Sequence, residues 1–138
     1  MSYDLIYNGI SGLVKQLGFK ESTFPSMENV PSEQIGSVFV LNPRSGQNDE
    51  NTSETLSSLI YDIQIWEIEI AFQKSIHQQG ASQDKASRTA YDLIQLLDNP
   101  ANWSSYVRIQ KYLSWKIEDK KSYFLLTMQL KIVDTITY

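Results

Sequence analysis

The end of the chain alternates apolar and polar side chains over its last sixteen residues. In residues 123–138, YFLLTMQLKIVDTITY, every even position except Asp134 is apolar. A period of two is typical of a β-strand with one buried face, so we predict a strand in which Met128, Leu130 and Ile132 face the core. An unbroken strand of this length extends about 50 Å, which is more than a small domain needs for its own sheet.

A second alternating stretch, YDIQIWEIEIAF at residues 61–72, changes parity in its middle. Ile63 and Ile65 occupy odd positions, whereas the aliphatic residues from Ile68 onward occupy even ones. One extra residue in a strand returns the following side chains to the original face, so we predict a β-bulge near Trp66. With that bulge the strand is apolar on one face and acidic on the other.

Two stretches have the three-and-four spacing of a helix with one buried stripe. The first can be capped by Ser2 and ends at Gly18, and the second is capped near Ser82 and ends before Pro100. Further strands are predicted at 35–41, 107–117 and 123–138. The pattern indicates one α+β domain over residues 1–138, a mixed, largely antiparallel twisted sheet with two main helices packed on one face.

Residues 42–58, NPRSGQNDENTSETLSS, contain no apolar residue before Leu56. A run this polar cannot form a core, and it predicts a long mobile loop between two strands. By position and polarity alone, we assign the loop to docking on a partner through five of its residues. These residues are Arg44, Gln47, Asp49, Glu50 and Glu54.

The amino-acid composition reduces the number of functions that this chain can have. The formal net charge is −4 and the basic residues are scattered, with only Lys120 and Lys121 adjacent. Tight nucleic-acid binding needs a cationic stripe, so the charge pattern argues against it. Cysteine is absent, which excludes disulfides, thiolate metal sites and cysteine nucleophiles. The first residues lack the pattern of a signal peptide or membrane span, so we expect a soluble protein without a membrane partner.

Few residues suggest catalysis. His77 is the only histidine, and it lies in a turn-like stretch without a nucleophile motif. The acidic residues Asp62, Glu67 and Glu69 fit a solvated strand face better than a pair of catalytic carboxylates or a metal site. The chain has no phosphate-binding glycine loop, nucleophile elbow or dinucleotide fingerprint. We therefore expect no enzymatic activity, no cofactor and no metal.

The order of these segments along the chain is similar to that of a known protein family. The series is IGSVFVL, a long polar loop, YDIQIWEIEIAF, the helix DKASRTAYDLIQLLDNP and the final pair YVRIQKYLSWKIEDKKSYFLLTMQLKIVDTITY. It resembles the tail terminator proteins of long-tailed bacteriophages, in which an N-terminal helix precedes a mixed α+β sheet. Members of that family commonly end on a strand of the type xLxxxITY, and this chain ends LKIVDTITY.

The resemblance implies a ring of six subunits that caps the tail tube, stops its polymerisation and joins the tail to the head connector. The protein would act in the virion, at the junction of tail and neck, after assembly in the host cytoplasm. DNA would pass through the ring without specific binding, along a channel or ring wall that we assign to Asp62, Glu67 and Glu69. Contacts between subunits are assigned to the aromatic residues Trp66, Tyr112 and Trp115, because aromatic side chains are enriched at interfaces.

Three alternatives stay open from the sequence. A neck or head-completion protein also forms rings but binds the portal side instead of the tube. An enzyme or small-molecule-binding α+β domain would need a concave pocket and a functional His77. A component of a contractile secretion machine would use the same kind of subunit outside a phage.

Overall fold

The computed structural model describes residues 2–48, 59–74, 79–103 and 107–137, and these form two helices and five strands. In chain order, the elements are α1 (Ser2–Lys15), β1 (Lys20–Glu21), β2 (Val38–Asn48), β3 (Leu59–Gln73), α2 (Gln79–Leu97), β4 (Val107–Asp119) and β5 (Tyr123–Thr137). Short 3-10 turns lie at Met27–Asn29, Ser32–Gln34 and Pro100–Asn102. Within these ranges, neither helix is long and apolar enough to cross a lipid bilayer.

The strands form one sheet in the order β1-β2-β3-β5-β4. β1 runs parallel to β2, and the other three neighbouring pairs are antiparallel. Both helices cover the same face, because a single core joins their apolar stripes to three of the strands. The predicted α+β class, a mixed and largely antiparallel sheet with two helices on one face, is confirmed.

The main core lies between the helices and one face of the sheet. The even positions of β5 face this core, and Met128, Leu130 and Ile132 are fully buried there, as the alternation predicts. The helices contribute Ile6, Ile10, Leu13, Val14, Ala86, Ala90, Leu93 and Leu97. The first helix ends at Lys15, slightly before the predicted Gly18, and the turn that follows closes at Gly18, whose φ of 96° is a conformation that side chains with a Cβ rarely adopt.

A second, smaller core lies on the opposite face of the sheet. Met27 and Val30, from the segment between β1 and β2, pack there on Val38, Val40, Ala71 and Leu125. The side-chain amide of Asn42 donates to the carbonyl of Pro25 at 2.9 Å, which ties the segment to β2. The sequence predicts only a connector for this segment, so the second layer is a finding of the structure.

The predicted bulge near Trp66 lies in the neighbouring strand and not in β3. β3 pairs with β5 without a register shift, from Leu59 opposite Thr137 to Gln73 opposite Tyr123. The shift occurs in β2 between Pro43 and Ser45, and it leaves Arg44 as the extra residue. The change of parity in β3 therefore reflects no bulge in that strand: Trp66, Ile68, Ile70 and Phe72 face the helices, whereas Ile63 and Ile65 lie on the opposite face, beyond the second core.

The predicted loop 42–58 is also partly wrong. Residues 42–48 continue β2 and pair with β3, so Arg44 and Gln47 belong to a strand. Backbone hydrogen bonds to a neighbouring strand form whatever the side chains are, and a polar edge strand therefore has no apolar pattern to reveal it. Residues 49–58, with Asp49, Glu50 and Glu54, lie outside the described residues, and so does His77.

Two further boundaries differ from the prediction. α2 begins at Gln79, ahead of the expected cap, and the hydroxyl of Ser82 instead donates to the carbonyl of Gln73 at 3.0 Å. β4 has register shifts between Val107 and Ile109 and between Tyr112 and Ser114. These shifts break the single parity that the sequence predicts for this strand.

Candidate interaction surface

One half of the sheet face opposite the helices, beyond the second core, carries mostly exposed or half-buried side chains, with Thr127 and Val133 buried among them. Residues directly opposite each other in neighbouring antiparallel strands share a face, so the register gives the composition of this half. One row runs from Ser45 through Ile65 and Lys131 to Lys111, and the next includes Glu67, Gln129 and Ser114. We call this region, together with Ile63, Arg44, Thr127 and Lys116, the open face.

Glu67 is held by two partners on the open face. Arg44, the extra residue of the β2 bulge, donates to Oε1 of Glu67 from Nη2 at 2.9 Å and from Nε at 3.1 Å. The amide of Gln129 reaches the other carboxylate oxygen at 3.4 Å. The bulge therefore has a local function, because it directs a guanidinium onto the face that carries a carboxylate.

Glu69 lies at the border between the open face and the second core. It is paired in register with Val40 and Thr127, and its Oε1 is buried without a hydrogen-bond partner among the described residues. Burial raises the pKa of this carboxyl, and the nearby charge of Glu67 raises it further, while the backbone N–H of Met27 and the charge of Arg44 act in the opposite direction. An unpaired buried acceptor destabilises the fold.

The open face also carries lysine side chains, which come from β4 and β5 and cannot be foreseen from the acidic pattern of β3. Lys111 and Lys131 are directly opposite each other on β4 and β5. Within the described ranges, neither lysine lies within ion-pair distance of a carboxylate. Lys116 differs, since its Nζ lies 3.2 Å from an oxygen of Glu118.

The acidic ring wall stays a prediction, although the surface around Glu67 is not uniformly acidic. Glu67 and Glu69 share one face, but Asp62 occupies a ladder position of the other parity in an unbroken strand. The register with β4 and β5 brings the lysines onto the face of Glu67, and only this cross-strand pairing could have identified them. Gln47, one of the predicted docking residues, lies opposite Ile63 in the same ladder.

A cavity of about 290 Å³ opens on this surface. Its lining consists of Glu67, Ser114, Trp115, Lys116, Thr127 and Gln129. Hydroxyl, amide, ammonium and carboxylate groups converge there, so the cavity can donate to and accept from a polar chain laid over it.

The predicted subunit contact at Trp66 is wrong. Its side chain is fully buried in the main core, with its ring centroid 5.5 Å from that of Tyr3 and 6.1 Å from that of Tyr7. Its indole N–H donates to Gln64 at 2.8 Å. A side chain without exposed surface cannot contact a second subunit directly, and Trp66 therefore serves the stability of the fold.

Tyr112 and Trp115 keep some exposure on the helix side of β4. The ring of Trp115 meets that of Tyr91 edge to face, with centroids 6.0 Å apart, and Tyr91 is 61% exposed. Leu113, at the register shift between these residues, is 45% exposed. We call Tyr91, Leu113 and Trp115 the β4 edge patch. The sequence did not identify Leu113, because its exposure depends on where β4 is bulged, or Tyr91, because its ring contact with Trp115 joins α2 to β4.

Comparison with known proteins assigns no family to the chain. No protein-family model matches it, and a search of characterised proteins finds no significant match. In the part of the chain that the structure describes, no group of three or more histidine or acidic side chains is placed to hold a metal ion. The open face and the β4 edge patch are thus the surfaces from which a function can be argued.

Proposed function

We propose that the protein is a structural subunit of a bacteriophage tail, a tail terminator that forms a ring of six copies. In this role the ring caps the tail tube, stops its polymerisation and joins the tail to the head connector at the neck of the virion. The basis is the resemblance of the segment order to that family, together with surfaces suited to association between copies. The role requires no catalysis and no cofactor.

The observation that carries the proposal is a sheet with both edges open. Among the described residues, β4 pairs with β5 alone, although the backbone N–H of Tyr112 donates to Oδ1 of Asp98 at 3.0 Å, and β2 beyond Phe39 pairs with β3 alone. Edge strands present unpaired N–H and C=O groups that can pair with another chain. The two edges belong to opposite sides of one sheet, so edge-to-edge association is head-to-tail, and such contacts generate rings when the rotation closes.

The β4 edge patch adds apolar area beside one of these edges. Exposed aromatic and aliphatic side chains that cluster on a surface are typical of interfaces between proteins. Because Tyr91 and Leu113 are largely exposed, their contribution to the stability of a single subunit is small. Their burial between copies would instead stabilise the ring.

A tube assembly assay tests this function. The tail tube protein of the phage that carries this chain is polymerised with and without the protein, and tube lengths and ends are measured by electron microscopy. We expect short tubes with a ring at one end for the wild type, and long uncapped tubes for Leu113→Glu. Leu5→Glu is a matched control, because Leu5 is equally exposed, at 47%, but lies on α1.

The same assay separates the proposal from its nearest rival. If the protein leaves tube length unchanged and instead binds the portal or its adaptor, it is a neck protein and the terminator role is refuted. If neither tube nor portal is bound, a role in the virion neck is refuted altogether.

A further inference from the structure

Two lysines face each other on the open face, and among the described residues neither has an acidic partner. Lys111 and Lys131 are directly opposite across β4 and β5, and like charges in this arrangement destabilise a sheet. The carboxylate nearest in the ladder, that of Glu67, already accepts from Arg44 and Gln129. Within the described ranges, the lysines therefore have unused capacity to bind an anion.

Apolar surface adjoins the lysines on the same face. Ile65 is directly opposite Lys131, and Ile63 lies two residues further along β3, with both side chains half-buried. Two residues of an extended chain span about 7 Å. The lysine row and the Ile63 row are thus about as far apart as two side chains at positions i and i+2 of an extended ligand.

We propose that the open face binds an acidic, extended segment of a partner protein. Its carboxylates pair with Lys111 and Lys131, its apolar side chains at every second position rest on Ile63 and Ile65, and its polar groups reach the cavity beside Glu67. The inference goes beyond the proposed function, since it requires neither a ring nor a tail.

The composition of the face favours a peptide over a nucleic acid. A nucleic acid carries a phosphate at every nucleotide and would also bring charge close to Glu67 and Glu69, within two rows of the lysines, whereas a peptide can restrict its carboxylates to the lysine row. Single-stranded nucleic acids also use aromatic side chains for stacking, whereas the two apolar residues beside the lysines on which the ligand would rest, Ile63 and Ile65, are aliphatic. A carboxylate-bearing peptide offers both the charges and the apolar groups that this face can accept.

Binding of labelled peptides by fluorescence anisotropy tests the proposal. The first probe is an extended peptide in which every second residue is in turn glutamate and then valine or isoleucine, with small polar residues between them, so that both kinds of side chain share one face. The other probes are the same peptide with lysine for glutamate and a single-stranded oligonucleotide of equal charge. We expect only the glutamate peptide to bind, and its Kd to increase with salt because the contacts are charged.

Two charge reversals make the test specific. Lys131→Glu should raise the Kd of the glutamate peptide about tenfold or more. Lys85 is an exposed lysine of α2, and Lys85→Glu should change this Kd less than about twofold. The fold of Lys131→Glu is checked by its Tm, which should equal or exceed that of the wild type because a like-charge pair becomes an ion pair. Lys131→Gln provides a second variant if the reversal fails to fold.

Three results would overturn the inference. The first is no binding of the glutamate peptide up to millimolar concentration. The second is a Kd that Lys131→Glu and Lys131→Gln leave unchanged. The third is binding of the oligonucleotide as tight as that of the peptide, which would assign the lysines to nucleic acid.

Discussion

Replacing Glu69 with glutamine should stabilise the protein at neutral pH. Oε1 of Glu69 is buried without a hydrogen-bond partner among the described residues, and the carboxylate lies close to the like charge of Glu67. An unpaired buried acceptor costs about 1–3 kcal/mol, and the lower end applies because the side chain as a whole is only half-buried. The amide leaves a polar atom at the Oε1 position but removes the charge, and its oxygen can still accept from the N–H of Met27. We expect a gain of about 1 kcal/mol, or about 4 °C in Tm for a domain of this size.

The pH dependence of this gain follows from the direction of the pKa shift. Burial raises the folded-state pKa of Glu69, so the native protein binds this proton more tightly than the unfolded chain does. The wild type is therefore relatively most stable below the ordinary glutamate pKa, and it loses this stability as pH rises through the raised value. Glu69→Gln should show its full gain at pH 7 and almost none near pH 4.

Urea denaturation at the two pH values measures the effect, and Glu67→Gln is its matched control. Glu67 lies on the same face two residues away, but its carboxylate is paired with Arg44. Its replacement should destabilise the protein by about 0.5 kcal/mol, which is the opposite sign. The reasoning is refuted if Glu69→Gln destabilises the protein at pH 7, or if its gain is the same at both pH values.

Two further predictions concern the core and a helix end. Leu130→Asp should abolish the cooperative melt measured by circular dichroism, because it places a charge in a fully buried site at a cost of several kcal/mol. Lys131→Glu, on the opposite face of the same strand, should melt at or above the wild-type temperature, and equal melts for the two variants would contradict the assigned parity. Gly18→Ala should destabilise the protein by about 1 kcal/mol in urea, because its φ of 96° is strained for alanine. Gly12→Ala, exposed within α1 and without an atom within 4 Å of the new Cβ, should stabilise it by a similar amount, and the same sign for both would refute the argument.

The sequence predicts the elements whose burial follows a local period. The even face of β5, the two helices and the turn at Gly18 after α1 are read from spacing and from one glycine, because each depends on neighbours in the chain. The extension of β2 through residues 42–48 depends on pairing with β3 and leaves no apolar pattern. The parity change in β3 is equally hard to read from the strand itself, since Ile63 and Ile65 lie on the open face, beyond the second layer around Met27.

The candidate surfaces are harder to predict for the same reason. Glu67 and Glu69 were identified from β3 alone, whereas their relation to Arg44 and Lys131 depends on the register between three strands. Trp66 was assigned to an interface because it is a large aromatic residue. Composition does not distinguish an aromatic side chain in a core from one at a subunit contact, and only its burial does.

The mass of the purified protein, measured by native mass spectrometry across concentration and salt, tests the central claim of a ring joined through open sheet edges. The account predicts a discrete species near six subunits for the wild type and for Leu5→Glu, and a monomer for Leu113→Glu. A wild-type protein that stays monomeric at tens of micromolar, alone and with tail tube protein, would contradict the claim. A hexamer that Leu113→Glu leaves intact would contradict the assignment of the β4 edge to the contact between subunits.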